Sequence, residues 1–319
     1  MSAGGEGGAI GGRWKTHAAL LVVQLSFAAG AVEGKLALGP RASGGEGISP
    51  WALAMSRMAA AALFFQLLSL RSANGGASRA PSTRLAKADH ARIALLSLLG
   101  IVVNQTLFLL GLRMTTAFVA ALLAGTIPVF TALIAVATRT DRPSVRLGLG
   151  VMASFGGVVY LVGLRKVDFG ALVIAANCLS YAAYLVLAGP TIRRLGAMTT
   201  IRWVFTWGAI LFAPIGLPAL MADAVQWSAR GRLLVAFYVL VPTIIAYAAN
   251  AWALGRTTAA LVAIYVNLQP VLAALLQWLQ LGVPLTTRMV AASAMIVAGL
   301  ALVASRPTGA EPRARGREG

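Results

Sequence analysis

Acids and metal-binding side chains are what this sequence has least of. Nine Asp and Glu stand against 27 Lys and Arg in 319 residues, with two His and a single Cys. One cysteine, Cys178, excludes an intramolecular disulfide and argues against a thiolate metal site. His17 and His90 lie at the edges of apolar runs and are too few for a His-built metal centre. Hydrolases and transferases need a nucleophile with its base, or a metal with carboxylates. Here Glu33 is the one carboxylate inside an apolar run. The expectation is therefore no enzyme, no metal and no cofactor. A Gly-x4-Gly-Lys-Ser/Thr phosphate loop is missing as well, so the chain is not itself an ATP-driven pump.

Apolar residues fill the space the charges leave. They make up 59% of the chain and charged residues only 11%, against roughly a quarter charged in a soluble domain. No soluble fold of this size hides so much apolar surface, so the lipid bilayer is its solvent. The net charge of +18 would suit nucleic acid. Its distribution argues otherwise, because the basic residues sit in short segments between apolar runs, where membrane topology puts them. Nucleic acid is not expected as a partner.

Residues 1–13 read as a disordered tail, and 306–319 as a basic tail. The first apolar run, 18–38, is too long for a cleaved leader and carries Glu33 and Lys35, so it reads as a retained helix. Nine more runs follow near 51–70, 93–112, 115–137, 145–164, 169–189, 201–221, 233–254, 258–281 and 286–305. Each can cross ~30 Å of hydrocarbon as a helix. The predicted fold is all-α, with ten transmembrane helices.

The chain also repeats itself. Thr115–Pro128, TTAFVAALLAGTIP, returns 142 residues later as Thr257–Pro270, TTAALVAIYVNLQP. The same offset pairs Val129 with Val271, Ala132 with Ala274 and Gly157 with Gly299, without a gap. Two units follow, 14–164 and 165–305, of five helices each. Five is odd, so the second unit enters from the opposite side and lies inverted. With the N-terminus inside, the inner segments hold eighteen basic residues and the outer ones seven. That bias places both termini in the cytoplasm. Inverted repeats belong to secondary transporters, with a site near the midplane between the repeats.

Several stretches resemble the EamA-type transporters of the drug/metabolite transporter (DMT) superfamily. Phe27–Leu38, FAAGAVEGKLAL, is similar to the first helix of that family, with Ala29-Gly30 where Trp-Gly is usual. Ser49–Ala62, SPWALAMSRMAAAA, resembles the second helix, Arg57 standing at its characteristic arginine. Gly111–Pro128 and Gly255–Pro270 resemble the fourth helix and its partner, and Asn104–Phe108 with Gly111-Leu112 resembles the nodulin-type branch. That branch is found in plants, and the preference for Arg over Lys fits a GC-rich bacterial genome equally well; a bacterial inner membrane is the expected location. The resemblance covers about 18–305 and implies a secondary transporter, often an exporter, of small metabolites.

Three groups of residues are candidates for the work. Pro128 and Pro270 each remove a helix hydrogen bond at matched depth, which makes a kink or hinge; simple packing kinks are the alternative. Glu33 lies roughly 8 Å, and Arg57 roughly 9 Å, below the outer ends of their helices. That matching depth predicts a Glu33–Arg57 ion pair acting as a gate or proton-linked switch. The alternative is a structural pair, or Lys35 and Arg57 snorkelling outward. Polar stripes then mark a substrate cavity: Asn177, Tyr181 and Tyr184; Thr243, Tyr247 and Asn250; Tyr265 with Gln269, and Asn267 beside them; Gln24, Asn104 and Gln105. Singly such groups bond neighbouring helices; as a set they outline a polar, aromatic-walled cavity. The second unit has no ionisable residue deep in a helix, which disfavours phosphorylated sugars. The expected cargo is a small uncharged or zwitterionic metabolite, such as an amino acid or an amphipathic compound, with protons as the candidate coupling ion. A passive channel or a membrane-embedded enzyme is the alternative.

Overall fold

The computed structural model describes residues 6–74, 85–138, 145–162, 169–254, 256, 265–266 and 268–304. Among them the regular structure is helical throughout. Ten helices run in order: α1 (Glu6–Leu38), α2 (Pro50–Asn74), α3 (Lys87–Met114), α4 (Ala117–Ala137), α5 (Val145–Val162), α6 (Phe169–Leu195), α7 (Ala197–Ala224), α8 (Ala229–Ala253), α9 (Leu268–Leu281) and α10 (Thr287–Ala304). Seven segments are long and apolar enough to cross a membrane alone, and α9 with Thr287–Gly299 of α10 are shorter apolar helices. Leu63, Leu70, Ile210, Leu233 and Leu279 are largely exposed. Water would penalise that surface; hydrocarbon does not.

The repeat reappears in which helix packs on which. Three contacts join a helix to its own counterpart: α2 on α7, α4 on α9 and α5 on α10. Others come as mirrored pairs: α3 packs on α6 as α8 packs on α1, and α4 packs on α6 as α9 packs on α1. A pattern that survives exchange of the two units is that of a pseudo-twofold axis between inverted repeats.

Local chemistry explains the breaks. The Thr-Thr-Ala motif is a two-residue link: Thr115 is extended, and Thr116 caps α4 by accepting a hydrogen bond from Val119 N at 3.2 Å. Farther on, α4 breaks at Gly125-Thr126 and restarts at Ile127, with Pro128 in the new first turn, where a missing N–H costs nothing. Pro270, its counterpart in the repeat, is buried in α9. The carbonyl of Leu123 beside the break accepts from Thr126 N at 2.8 Å, Thr126 Oγ1 at 2.6 Å and Cys178 Sγ at 3.3 Å. In the second copy of the motif, residues 257–264 lie outside the described residues.

The two ends are fastened differently. At the end where α1 finishes, the link to α2 folds back on itself and grips the start of α8. Ser228 Oγ donates to Glu46 Oε2 at 2.5 Å, Arg230 pairs with Glu46 at 3.9 Å, and Arg230 also donates to Gly44 O at 3.2 Å. At the opposite end Arg194, closing α6, pairs with Asp89 in the first turn of α3. Both ion pairs join one repeat to the other.

Candidate functional site

Helices α3 and α8 each carry one π-helical turn at mid-length: Leu98–Val103 and Leu240–Ile245. Their separation is 142 residues, the offset of the repeat, so they are one feature in two copies. A π turn inserts an extra residue and misaligns carbonyls, and such turns occur often at functional sites. Each is held by small-to-large packing. In α3 the hole is Gly100, where a Cβ would stand 2.4 Å from the Tyr184 ring of α6. In α8 the bulky member is Pro242, and the hole is Gly30 of α1, whose Cβ would stand 2.8 Å from the proline ring. Gly34, one turn on, accommodates Tyr238 in the same way.

Hydrogen bonds from neighbouring helices occupy the loosened turns. Ser180 Oγ donates to Leu99 O at 2.8 Å, and Asn177 Nδ2 to Asn104 O at 2.7 Å. In α8, Pro242 has no N–H to offer Tyr238 O, and Thr243 Oγ1 donates to that carbonyl at 2.9 Å. The same hydroxyl accepts from Arg57 Nε at 2.7 Å. The Arg57 guanidinium also lies over the Tyr238 ring, 4.6 Å from its centroid, and the residue is only 4% exposed.

Gln105 Nε2 donates to Tyr247 OH at 3.2 Å, and these two residues are themselves 142 apart. A contact between repeat counterparts can form only on the axis that exchanges them. The Gln105–Tyr247 bond thus marks the pseudo-twofold axis, between the two π turns. Phe205 meets Tyr247 edge-on at 5.0 Å, Phe27 does so at 6.0 Å, and Tyr181 stacks with Tyr184 at 5.8 Å. Gln105 Oε1 is buried and has no hydrogen-bond partner among the described residues.

Two expectations change. Glu33 and Arg57 do not pair: Arg57 reaches across to the π turn of α8, and half-buried Glu33 has no partner among the described residues. A guanidinium on a long stem need not lie at the depth of its Cα, and a count along α2 registers only the Cα. Lys35 goes elsewhere too, donating to Leu112 O at 3.1 Å and Arg113 O at 3.0 Å, where a cation suits the C-terminus of α3.

The remaining polar residues form a second seam between α1 and α9. Gln269 Nε2 donates to Gln24 Oε1 at 2.6 Å, and His17 Nδ1 lies 2.6 Å from Tyr265 OH. Asn250 is half-buried and forms no hydrogen bond among the described residues, and Asn267 lies outside them. The structure thus joins Arg57 to Thr243, Gln105 to Tyr247, Asn177 to Asn104, Tyr181 to Tyr184 and Gln24 to Gln269. An apolar hollow of about 520 Å³ on α7, lined by Ile210, Ala213, Pro214, Leu217, Pro218 and Met221, belongs to the outer surface. Sequence reasoning missed Tyr238, Pro242 and both π turns. The signal that could have found them was a proline followed by threonine inside an apolar run, at the repeat position of Gly100.

A family model described as the EamA-like transporter family matches residues 14–163 and again 168–305. The chain is 28% identical to an uncharacterized transporter, YdfC, of Bacillus subtilis over 61% of its own length and 64% of that protein's. It is 27% identical to an uncharacterized transporter of Archaeoglobus fulgidus over 57% of this chain and 65% of the relative. A WAT1-related protein of Arabidopsis thaliana is 24% identical over 67% and 64%. The matches thus span just under two thirds of each relative. One solved crystal structure, 20% identical, superposes with a TM-score of 0.61 over 91% of this chain and 96% of the other, a likeness of fold.

Proposed function

Because this chain belongs to the EamA-like transporter family, we propose that it is a secondary transporter that moves a small uncharged or zwitterionic metabolite by alternating access between its repeats. The observation that carries the reading is the Gln105–Tyr247 bond on the pseudo-twofold axis, with a π turn on either side. Inverted repeats can exchange conformations, and a site on their axis is the one place both conformations share. Polar and aromatic groups at that point give a cargo contacts that lipid cannot give, and π turns supply helices that can change register locally.

The termini lie in the cytoplasm of a bacterial inner membrane, following the excess of basic residues on that side, and the direction is export. Glu33 is the candidate for proton coupling: it is a half-buried carboxylate within a membrane-spanning helix, without a partner among the described residues. Pro128 and Pro270 mark where α4 and α9 can bend. Proteoliposomes with the purified chain, assayed for labelled metabolites, test the reading. Saturable flux that a pH gradient drives and Glu33→Gln uncouples is expected. Flux linear in concentration would indicate a pore, and a flux indifferent to pH would remove the proton.

A further inference from the structure

The chain has two histidines, and each bridges one repeat to the other. His17 of α1 meets Tyr265, just ahead of α9, and His90 of α3 meets Trp207 of α7. Both histidines stand at the end that the basic-residue bias assigns to the cytoplasm. The two bonds differ in kind. A phenol both donates and accepts, so His17 can hold Tyr265 with its ring neutral or charged. An indole N–H only donates. Trp207 Nε1 lies 3.3 Å from His90 Nδ1, so that nitrogen must accept, and the proton of the neutral ring sits on Nε2. Protonation turns both ring nitrogens into donors and sets two N–H groups against each other.

The surroundings supply no substitute acceptor. His90 is half-buried in the first turn of α3, edge-on to the Trp203 ring at 4.6 Å. That ring already has a cation, the Arg202 guanidinium of α7, 5.4 Å from its centroid. On α3 itself Lys87 and Arg92 are exposed, and the adjacent Asp89 is taken by Arg194 of α6, next to exposed Arg193. Helices α6 and α7 are the ones packed against this part of α3. A helix N-terminus is also the wrong place for an added positive charge. Charging His90 therefore breaks its bond with nothing gained among the described residues.

We infer that His90 is a pH sensor at the cytoplasmic end: its protonation releases Trp207 and loosens the seam between α3 and α7, so acid on the inner side favours opening of that end. Histidine is the side chain that ordinarily changes charge between about pH 5 and 8. The outer fastening, built on Glu46 with Ser228 and Arg230, contains no histidine and does not share the response. The inference goes beyond the carrier reading, because it assigns control of one end and no coupling ion.

Ser97 supplies a reporter. It is fully buried on α3, two turns beyond His90, and faces α7 closely enough that a Cβ on Gly208 would stand 3.2 Å from its Oγ. Ser97→Cys, in a Cys178→Ala background, is labelled with a membrane-impermeant thiol reagent in the full chain in lipid nanodiscs, without cargo. Each rate is divided by that of the same thiol in the chain unfolded in SDS at that pH. The ratio is expected to rise roughly two- to tenfold from about pH 8 to about pH 5.5, as the loss of one buried hydrogen bond predicts. His90→Gln, which keeps an acceptor and cannot charge, should stay slow throughout, and Trp207→Phe should stay fast throughout. His17→Gln and Asp89→Asn should keep the step. A flat profile in the reporter chain, a step that survives His90→Gln, or one that His17→Gln or Asp89→Asn abolishes would overturn the inference. In the unsubstituted chain the indole N–H resonance of Trp207, assigned by its loss in Trp207→Phe, should move over the same pH range; a resonance that does not move would overturn it as well. Because no cargo is present, failure here leaves the carrier reading standing, whereas absence of flux in proteoliposomes removes the carrier and not the switch.

Discussion

The bond from Arg57 Nε to Thr243 Oγ1, 2.7 Å long and buried, invites a quantitative test. Thr243→Val keeps the shape of the side chain and deletes its hydroxyl. Two bonds go: the acceptor for a charged donor, and the hydroxyl donor to Tyr238 O. A bond to a charged group contributes about 1.5–3 kcal/mol, while interhelical bonds in membrane proteins average about 0.6. The charge decides between them, because no carboxylate among the described residues can take over the stranded Nε–H, so the upper range applies. Thr243→Val is expected to destabilise by about 2–3 kcal/mol, and Thr243→Ser, which keeps the oxygen, by under about 1. Arg57→Met has the opposite sign: replacing an unpaired buried charge with an apolar chain is neutral or stabilising by about 1–4 kcal/mol. In the Arg57→Met background, Thr243→Val should cost about 1.5 kcal/mol less than in the parent. Denaturant titration of the four proteins, followed by helical circular dichroism, measures the cycle. Additive single substitutions would refute the reasoning, as would an Arg57→Met protein weaker than the parent by several kcal/mol.

Other consequences are simpler to read. Gly100→Ala puts a methyl 2.4 Å from the Tyr184 ring and should cost about 1–3 kcal/mol, a penalty that Tyr184→Ala relieves in the same titration. Gln277→Leu strands the Phe118 N–H that Gln277 Oε1 now accepts at 3.1 Å, a loss of about 1–3 kcal/mol, and Gln277→Glu retains most of it. Asp89→Asn and Glu46→Gln release opposite ends of the bundle. An Asn250→Cys reporter should therefore become more reactive to impermeant thiol reagents from one side in the first variant and from the other side in the second; identical changes would mean the two ion pairs are not alternate fastenings.

The architecture was legible because its causes are written in one dimension. Apolar runs of bilayer length, a repeat at fixed offset and an odd helix count led to ten helices in two inverted units, and Thr116 as a cap explains why the motif begins as it does. The candidate polar residues were found by their spacing on helix faces, but their partners were not. Arg57 was placed by its Cα, whereas its charge acts at the end of a long stem beside Tyr238. The π turns are hidden because an extra residue shifts the phase of a helical pattern, and segments as apolar as LLGIVV and LVPTII have no pattern to shift. What betrays them is the pairing of Gly100 with Pro242, two residues with nothing in common except their place in the repeat.

That unlike pair bears on direction. In the carrier proposed above, a molecule held on the axis would meet the same groups whichever way the repeats lean, and a ligand with equal affinity for two states shifts neither. Facing inward or outward must then be biased by what differs between the copies. Glycine leaves the turn of α3 free to straighten, since it adds no side chain and few backbone restrictions. Proline fixes the turn of α8, since its ring cannot rejoin the α-helical ladder. One copy of the fold can relax where the other cannot, which in the proposed carrier would set a resting pose without any contribution from the cargo site.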